Sequence, residues 1–173
     1  MKRIILILVF LSLAQAGLAK GVGGTFASID GGQLSVEDWR GQPVLVVNTA
    51  SQCAFTRQYD NLQKVYDRYR ARGLVVLAVP SDDFNQELDN AEDVKKFCEL
   101  NYALDVPMTD ITSVRGALAH PFYKQVAAET GFEPAWNFNK ILIAPDGSVA
   151  GTWGSAVRPD ARAITRQIET FLD

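Results

Sequence analysis

The chain has 173 residues, enough for one domain with a hydrophobic core, and its formal net charge is −3. That acidic balance argues against nucleic acid or an anionic membrane surface as a partner. Two cysteines and one histidine are too few for a tetrahedral zinc site. They leave a structural bridge, a reactive pair or two unrelated buried thiols.

The chain opens with Met1-Lys2-Arg3, an almost wholly apolar run over 4–14, and Ala14-Gln15-Ala16 as a small-x-small cleavage site. This reads as a secretory leader over 1–16, with a second possible cut after Ala19, ahead of one domain over 20–173. The apolar run falls short of the ~20 residues a membrane helix needs. The expectation is an exported, periplasmic protein, two units more negative once Lys2 and Arg3 are removed.

Residues 25–29, the turn Asp30-Gly31-Gly32 and residues 33–35 predict a short hairpin. Residues 43–49 then read as a buried strand, because Val44-Leu45-Val46-Val47 is continuous, apolar and rich in β-branched residues. Apolar residues at 59, 62, 65, 66 and 69 predict a helix over about 57–71, stopped by Gly73. A second buried strand follows at 74–79. Asn90 caps a predicted helix that runs to about Tyr102, with Glu92 and Asp93 in its first turn. Gly116 and Pro121 punctuate the next stretch, with His120 at a helix start. Residues 141–144, Pro145-Asp146-Gly147 and 148–153 predict a second hairpin, and Pro159 opens a terminal helix ending near Leu172. This order is α/β, a central mixed sheet flanked by helices on both faces, and it fits a thioredoxin-like fold.

Three segments look chemically biased. Cys53 follows the first buried strand and precedes a helix, where backbone N–H groups and the helix dipole favour thiolate over thiol. The segment 80–87, with Gln86, follows the second strand, so the two can share one rim of the sheet. The segment 134–140, with Trp136 and Asn137, precedes the third strand. It joins the others only if that strand runs antiparallel to its neighbours.

In this order the segments resemble the glutathione peroxidase family in its selenium-free, cysteine-containing bacterial form. The family motif Asn-Val-Ala-Ser-x-Cys-Gly-x-Thr is matched by Asn48-Thr49-Ala50-Ser51-Gln52-Cys53-Ala54-Phe55-Thr56. A second motif is matched over 79–88 with one residue deleted, and Lys-Trp-Asn-Phe-x-Lys-Phe is matched by Ala135-Trp136-Asn137-Phe138-Asn139-Lys140-Ile141. Phe97-Cys98-Glu99-Leu100-Asn101-Tyr102 and His120-Pro121-Phe122-Tyr123-Lys124 extend the likeness over about 26–172.

The resemblance implies a thiol peroxidase acting on hydrogen peroxide or organic hydroperoxides, with no cofactor and no metal. Cys53 would be the peroxidatic cysteine, Gln86, Trp136 and Asn137 its polar neighbours, and Cys98 the resolving cysteine. Cys53 would attack a peroxide oxygen, become a sulfenic acid and condense with Cys98 to a disulfide. Lowering a thiol from ~8.5 to ~6 gains about 30-fold in thiolate, and the accompanying loss of nucleophilicity returns most of it. Most of the acceleration must then come from donors aimed at the departing oxygen, and no general base is required for that attack.

Cys98 shares a predicted helix face with Val94, Phe97 and Asn101, so the helix over 92–102 must unwind locally before a disulfide can close. Asp82 and Asp83 read as a solvated acidic pair. Basic residues near the site are sparse, which favours a thioredoxin-type reductant over glutathione. The stretch between Tyr123 and Trp136 lacks the long insertion that tetrameric members of the family it resembles use for assembly, so the resemblance implies a monomer. The competing reading is a thiol–disulfide exchanger or redox sensor, against which Thr56 occupies the place of a second cysteine. Plainer readings also stand: Cys98 or Trp136 as ordinary core residues, Asn137 as a turn former, Gln86 as a solvated loop residue.

Overall fold

A computed structural model of the protein describes residues 21–172. The leader expected over 1–16 lies outside them. The elements in chain order are β1 (Thr25–Ala27), β2 (Gln33–Ser35), β3 (Val44–Thr49), α1 (Gln58–Tyr69), β4 (Val75–Pro80), α2 (Ala91–Tyr102), α3 (Pro121–Thr130), β5 (Lys140–Ile143), β6 (Val149–Trp153) and α4 (Arg162–Glu169). The main sheet has the order β4-β3-β5-β6, and β1 with β2 forms a separate hairpin.

Strand β3 pairs parallel with β4 and antiparallel with β5. Every residue of β3 is buried, as its continuous apolar run requires when helices cover both faces. Period-2 alternation divides that run between two cores. Leu45 and Val47 join Tyr59, Leu62 and Val65 of α1, Val94 and Cys98 of α2, and Ile164 and Ile168 of α4. Val44 and Val46 join Phe122 and Val126 of α3 and Phe26 and Val36 of the hairpin region. The sheet is therefore mixed and covered on both sides, the expected thioredoxin-like arrangement. Among the described residues no helix is long and apolar enough to cross a membrane.

Local signals read from sequence recur with small shifts. Asn90 Oδ1 accepts from the Asp93 N–H at 2.9 Å and starts α2. Helix α1 tightens into a 3-10 turn over Arg70–Arg72 before Gly73, whose φ of 105° ends it. His120 caps α3 through Nδ1, which accepts from the Phe122 N–H at 3.3 Å.

Two local expectations are corrected. Pro159 does not open the terminal helix, which begins at Arg162. Pro159 and Asp160 instead lie in a turn closed by the Ala161 N–H on the Arg158 carbonyl, and Asn61 holds the Asp160 carboxylate at 2.9 Å. Asn101 is not on the buried face of α2. It is exposed, its amide donating back to the Phe97 carbonyl, while Tyr102 turns inward onto Tyr59.

Candidate active site

The antiparallel direction of β5 meets the requirement for three segments on one rim. β3 and β4 end there and β5 begins there, with Val47 opposite Lys140. Asn48 ties the β5 entrance to β3. Its carbonyl accepts from the Phe138 N–H at 2.6 Å, its Oδ1 from the Asn139 N–H at 2.9 Å, and its Nδ2 donates to the Trp136 carbonyl at 3.0 Å.

Cys53 lies in the turn between β3 and α1 and is 7% exposed. The Phe55 N–H donates to its Sγ at 3.4 Å. The contact to sulfur thus comes from the turn itself, ahead of the first helical residue, Gln58. Thr56 holds the turn: its Oγ1 accepts from the Cys53 N–H at 3.1 Å and donates to the Cys53 carbonyl at 2.6 Å. Ala54, which replaces the glycine of the family motif, is not among the described non-glycine residues with positive φ. The substitution carries no backbone strain.

The loop after β4 is stapled to this turn. The Gln86 carbonyl accepts from the Gln52 N–H at 2.9 Å, and Glu87 Oε1 accepts from the Ser51 N–H at 2.9 Å. Asp82 and Asp83 are not merely solvated. Asp82 Oδ1 accepts from the Glu87 N–H at 3.1 Å, and Asp83 Oδ2 accepts from the Val114 N–H at 2.6 Å. Both carboxylates brace the loop that carries Gln86.

The structure joins two of the expected polar residues directly. Asn137 Nδ2 donates to Gln86 Oε1 at 3.1 Å. With that oxygen engaged, the Gln86 amide keeps its NH2 end for another acceptor. Trp136 is 40% exposed, and its ring packs on Phe84 with centroids 5.3 Å apart. Asn85, with φ of 54°, and Phe138, with φ of 60°, flank Gln86 and Asn137. Left-handed backbone at non-glycine residues costs energy, and here it borders both amide side chains.

Cys98 lies on the buried face of α2, in the same core as Cys53, and is 1% exposed. Both cysteines are free thiols. Burial pushes the Cys98 thiol up to about 12, the charges of Glu87 and Glu99 push the same way, and the Tyr59 hydroxyl opposes them.

Sequence reading passed over Asn48, Glu87 and Lys140. Lys140 is wholly buried at the start of β5, where its Nζ donates to Gln58 Oε1 at 2.6 Å. Burial lowers its amine from 10.5 to about 7. The available signal was position: a lysine entering an otherwise apolar strand. Among the described residues no group of His, Cys, Asp and Glu could hold a metal ion.

A cysteine in the turn from strand to helix of a four-stranded mixed sheet, with helices on both faces, defines a thiol protein of thioredoxin-like fold. The glutathione peroxidase family model matches residues 24–127. The hydroperoxy fatty acid reductase of Synechocystis is 37% identical over 156 residues, covering 84% of this chain and 91% of that protein. Human glutathione peroxidase 7 is 39% identical over 148 residues, covering 82% and 79%. A crystal structure described as Trgpx in apo form superposes with a TM-score of 0.68 at 30% identity, covering 86% of this chain and 92% of that one. A thiol:disulfide interchange protein of Chlorobium tepidum shares the fold, with a TM-score of 0.63 at 21% identity over 89% of this chain and 96% of that one. The chain belongs to the glutathione peroxidase family.

Proposed function

We propose that the protein is a thiol peroxidase in which Cys53 reduces hydrogen peroxide or an organic hydroperoxide. The observation that carries this reading is the Gln86–Asn137 amide pair, bonded at 3.1 Å on a loop stapled by Gln86 itself to the residue before Cys53. The Cys53 sulfur attacks one peroxide oxygen, an S–O bond forms and the O–O bond breaks. The departing oxygen leaves as water or an alcohol. The Gln86 amide, the Asn137 amide and the Trp136 indole N–H supply neutral donors to the oxygen that gains charge.

Cys98 then closes a disulfide with the Cys53 sulfenic acid, after local unwinding of α2, and an external dithiol protein of the thioredoxin type reduces it. The acidic balance of the chain supports a protein dithiol over glutathione, whose carboxylates would need basic partners. The name of the Synechocystis relative supports fatty acid hydroperoxides as one substrate class. The leader-like opening supports export to the periplasm, with residues 20–173 as the working domain, acting as a monomer.

The test is single-turnover oxidation of the reduced protein by hydrogen peroxide. Cys53→Ser is expected to abolish peroxide consumption, and a variant that consumes it at the wild-type rate rejects the reading. Comparing thioredoxin with glutathione in steady-state turnover decides the reductant.

A further inference from the structure

Strand β6 runs antiparallel to β5 and ends beside its entrance, with Trp153 opposite Lys140. The turn that follows, residues 154–157, is closed by the Val157 N–H on the Gly154 carbonyl at 3.1 Å, and the peroxide chemistry above does not use it. Ser155 in this turn reaches into the site. Its Oγ donates to the Asn137 carbonyl at 2.6 Å and accepts from Asn139 Nδ2 at 3.0 Å. The same Asn139 amide donates to the Trp136 carbonyl at 2.6 Å, where Asn48 Nδ2 also donates at 3.0 Å. Two consecutive carbonyls, those of Trp136 and Asn137, are therefore held by side chains from β3, the β5 entrance and the turn after β6.

Ser155 is itself anchored. Its carbonyl accepts from Gln58 Nε2 at 2.7 Å and from Lys140 Nζ at 3.3 Å, and Lys140 Nζ also donates to Gln58 Oε1 at 2.6 Å. Gln58 is the first residue of α1, the helix that the Cys53 turn leads into. One serine thus connects the helix after the sulfur with the segment that carries the amide, the first through its carbonyl and the second through its hydroxyl.

Asn137 depends on such support. It is fully buried, its Nδ2 bonds Gln86 Oε1, and its Oδ1 is sealed without a hydrogen bond among the described residues. An amide bonded at one end only takes its direction from the backbone. That backbone includes Phe138 at φ of 60°. Left-handed backbone costs energy at a residue with a Cβ and persists only where neighbours hold it. The carbonyl that Ser155 holds belongs to the peptide joining Asn137 to Phe138, so the hydroxyl acts on the strained link itself.

We propose that Ser155 is a positioning residue of the peroxide site, its hydroxyl fixing the Asn137–Phe138 peptide and with it the aim of the Asn137 amide at the departing oxygen. The inference rests on the reading above in which Asn137 serves that oxygen. Ser155 acts through Asn137 and takes no part in the bond changes. Loss of the hydroxyl leaves the Asn137 carbonyl and the Asn139 amide each one partner short, and the peptide is then free to turn.

The test compares two reactions of Cys53 in the whole reduced protein. Oxidation by hydrogen peroxide, followed by stopped flow, needs donors for the oxygen that leaves. Alkylation by iodoacetamide, located at Cys53 by peptide mass, uses the same sulfur and releases iodide, which draws on no such donor. Ser155→Ala is expected to slow oxidation by roughly 10- to 10²-fold, the usual effect of a small misplacement, and to leave alkylation nearly unchanged. Ser155→Thr keeps the hydroxyl and should recover most of the oxidation rate. In an Asn137→Ala background Ser155→Ala should add little, because the group it aims is gone. Ser155→Gly also lacks the hydroxyl and carries the test should the alanine variant not fold.

Oxidation at the wild-type rate without the hydroxyl overturns the inference. So does equal slowing of oxidation and alkylation, since that marks a general disturbance of the Cys53 turn, and so does full slowing on top of Asn137→Ala. If Asn137→Ala alone oxidises at the wild-type rate, the donor role of Asn137 falls and the inference with it. That failure is distinguishable because it needs no change at Ser155.

Discussion

Asn137 Nδ2 donates to Gln86 Oε1 across 3.1 Å, joining residues 51 positions apart in the chain. Asn137 is fully buried and Gln86 only partly so, so the pair joins an anchored side chain to a half-buried one. Asn137 is fixed by the strand entrance that Asn48 braces, and it sets where the Gln86 amide can point. The two side chains are therefore expected to behave as a unit. Gln86→Ala and Asn137→Ala should each lower kcat/KM for peroxide by roughly 10²- to 10³-fold, the usual effect of losing one preorganised donor. The double variant should lose little beyond the worse single. Fully multiplicative losses in a double-mutant cycle would show that the hydrogen bond does not couple them.

The parts of this arrangement legible in sequence are those set by neighbours a few residues apart. The buried run of β3, the Asp146-Gly147 turn and the Asn90 cap each depend on local chemistry, and each stands where expected. Pro159 misled because a proline at a helix start and a proline in a turn share the same φ; the Asn61 contact to Asp160 chooses between them, and it spans 99 residues. The meeting of Gln86 with Asn137 followed from motif order only once β5 ran antiparallel, which no local signal specifies. Glu87 and Lys140 were missed for a different reason. Their residue types read as solvated, and only tertiary packing buries them.

The proposed resolution by Cys98 has a mechanical requirement, because a thiol on the buried face of an intact helix would have to reach the turn that holds Cys53. The cap on α2 then works against disulfide closure. Asn90→Ala removes the bond to the Asp93 N–H and should weaken the first turn by about 1 kcal/mol. If unwinding precedes closure, that weakening speeds it by about 5-fold. Stopped-flow fluorescence after a peroxide pulse measures the rate, and an unchanged or slower closure argues for a route that leaves α2 folded.

The opposite end of α2 supplies the converse test. Ala103 ends the helix with φ of 47°, in the left-handed region, where its N–H caps the carbonyls of Cys98 and Glu99. Glycine adopts that conformation without the penalty of about 1 kcal/mol that a Cβ carries. Ala103→Gly should stabilise the end of the helix, whose cap binds the Cys98 carbonyl, and slow disulfide closure several-fold. Hydrogen exchange of the α2 amides should show higher protection in this variant and lower protection in Asn90→Ala. A change in protection with no change in closure rate would separate helix stability from resolution.

Lys140 links the site to pH through stability. Its Nζ donates to Gln58 Oε1 at 2.6 Å and to the Ser155 carbonyl at 3.3 Å, and burial lowers it from 10.5 to about 7. Between those values the unfolded chain holds a proton that the folded chain does not, so stability rises with pH across that window. Below about 7 both states are protonated and the cost of burying the charge is constant. Cys98 works the other way. Raised from 9.0 to about 12, it contributes stability in full below 9.0 and loses it as pH climbs towards 12. His120, lowered from 6.5, titrates beneath the window, and Tyr59 and Tyr123, raised from 10.0, lie above it. The interval from pH 7 to 9 therefore reports chiefly on Lys140. Urea unfolding of the reduced protein should gain on the order of 1 kcal/mol per pH unit there. Lys140→Met should flatten that slope, and equal slopes in variant and wild type would mean that the folded protein carries Lys140 charged throughout.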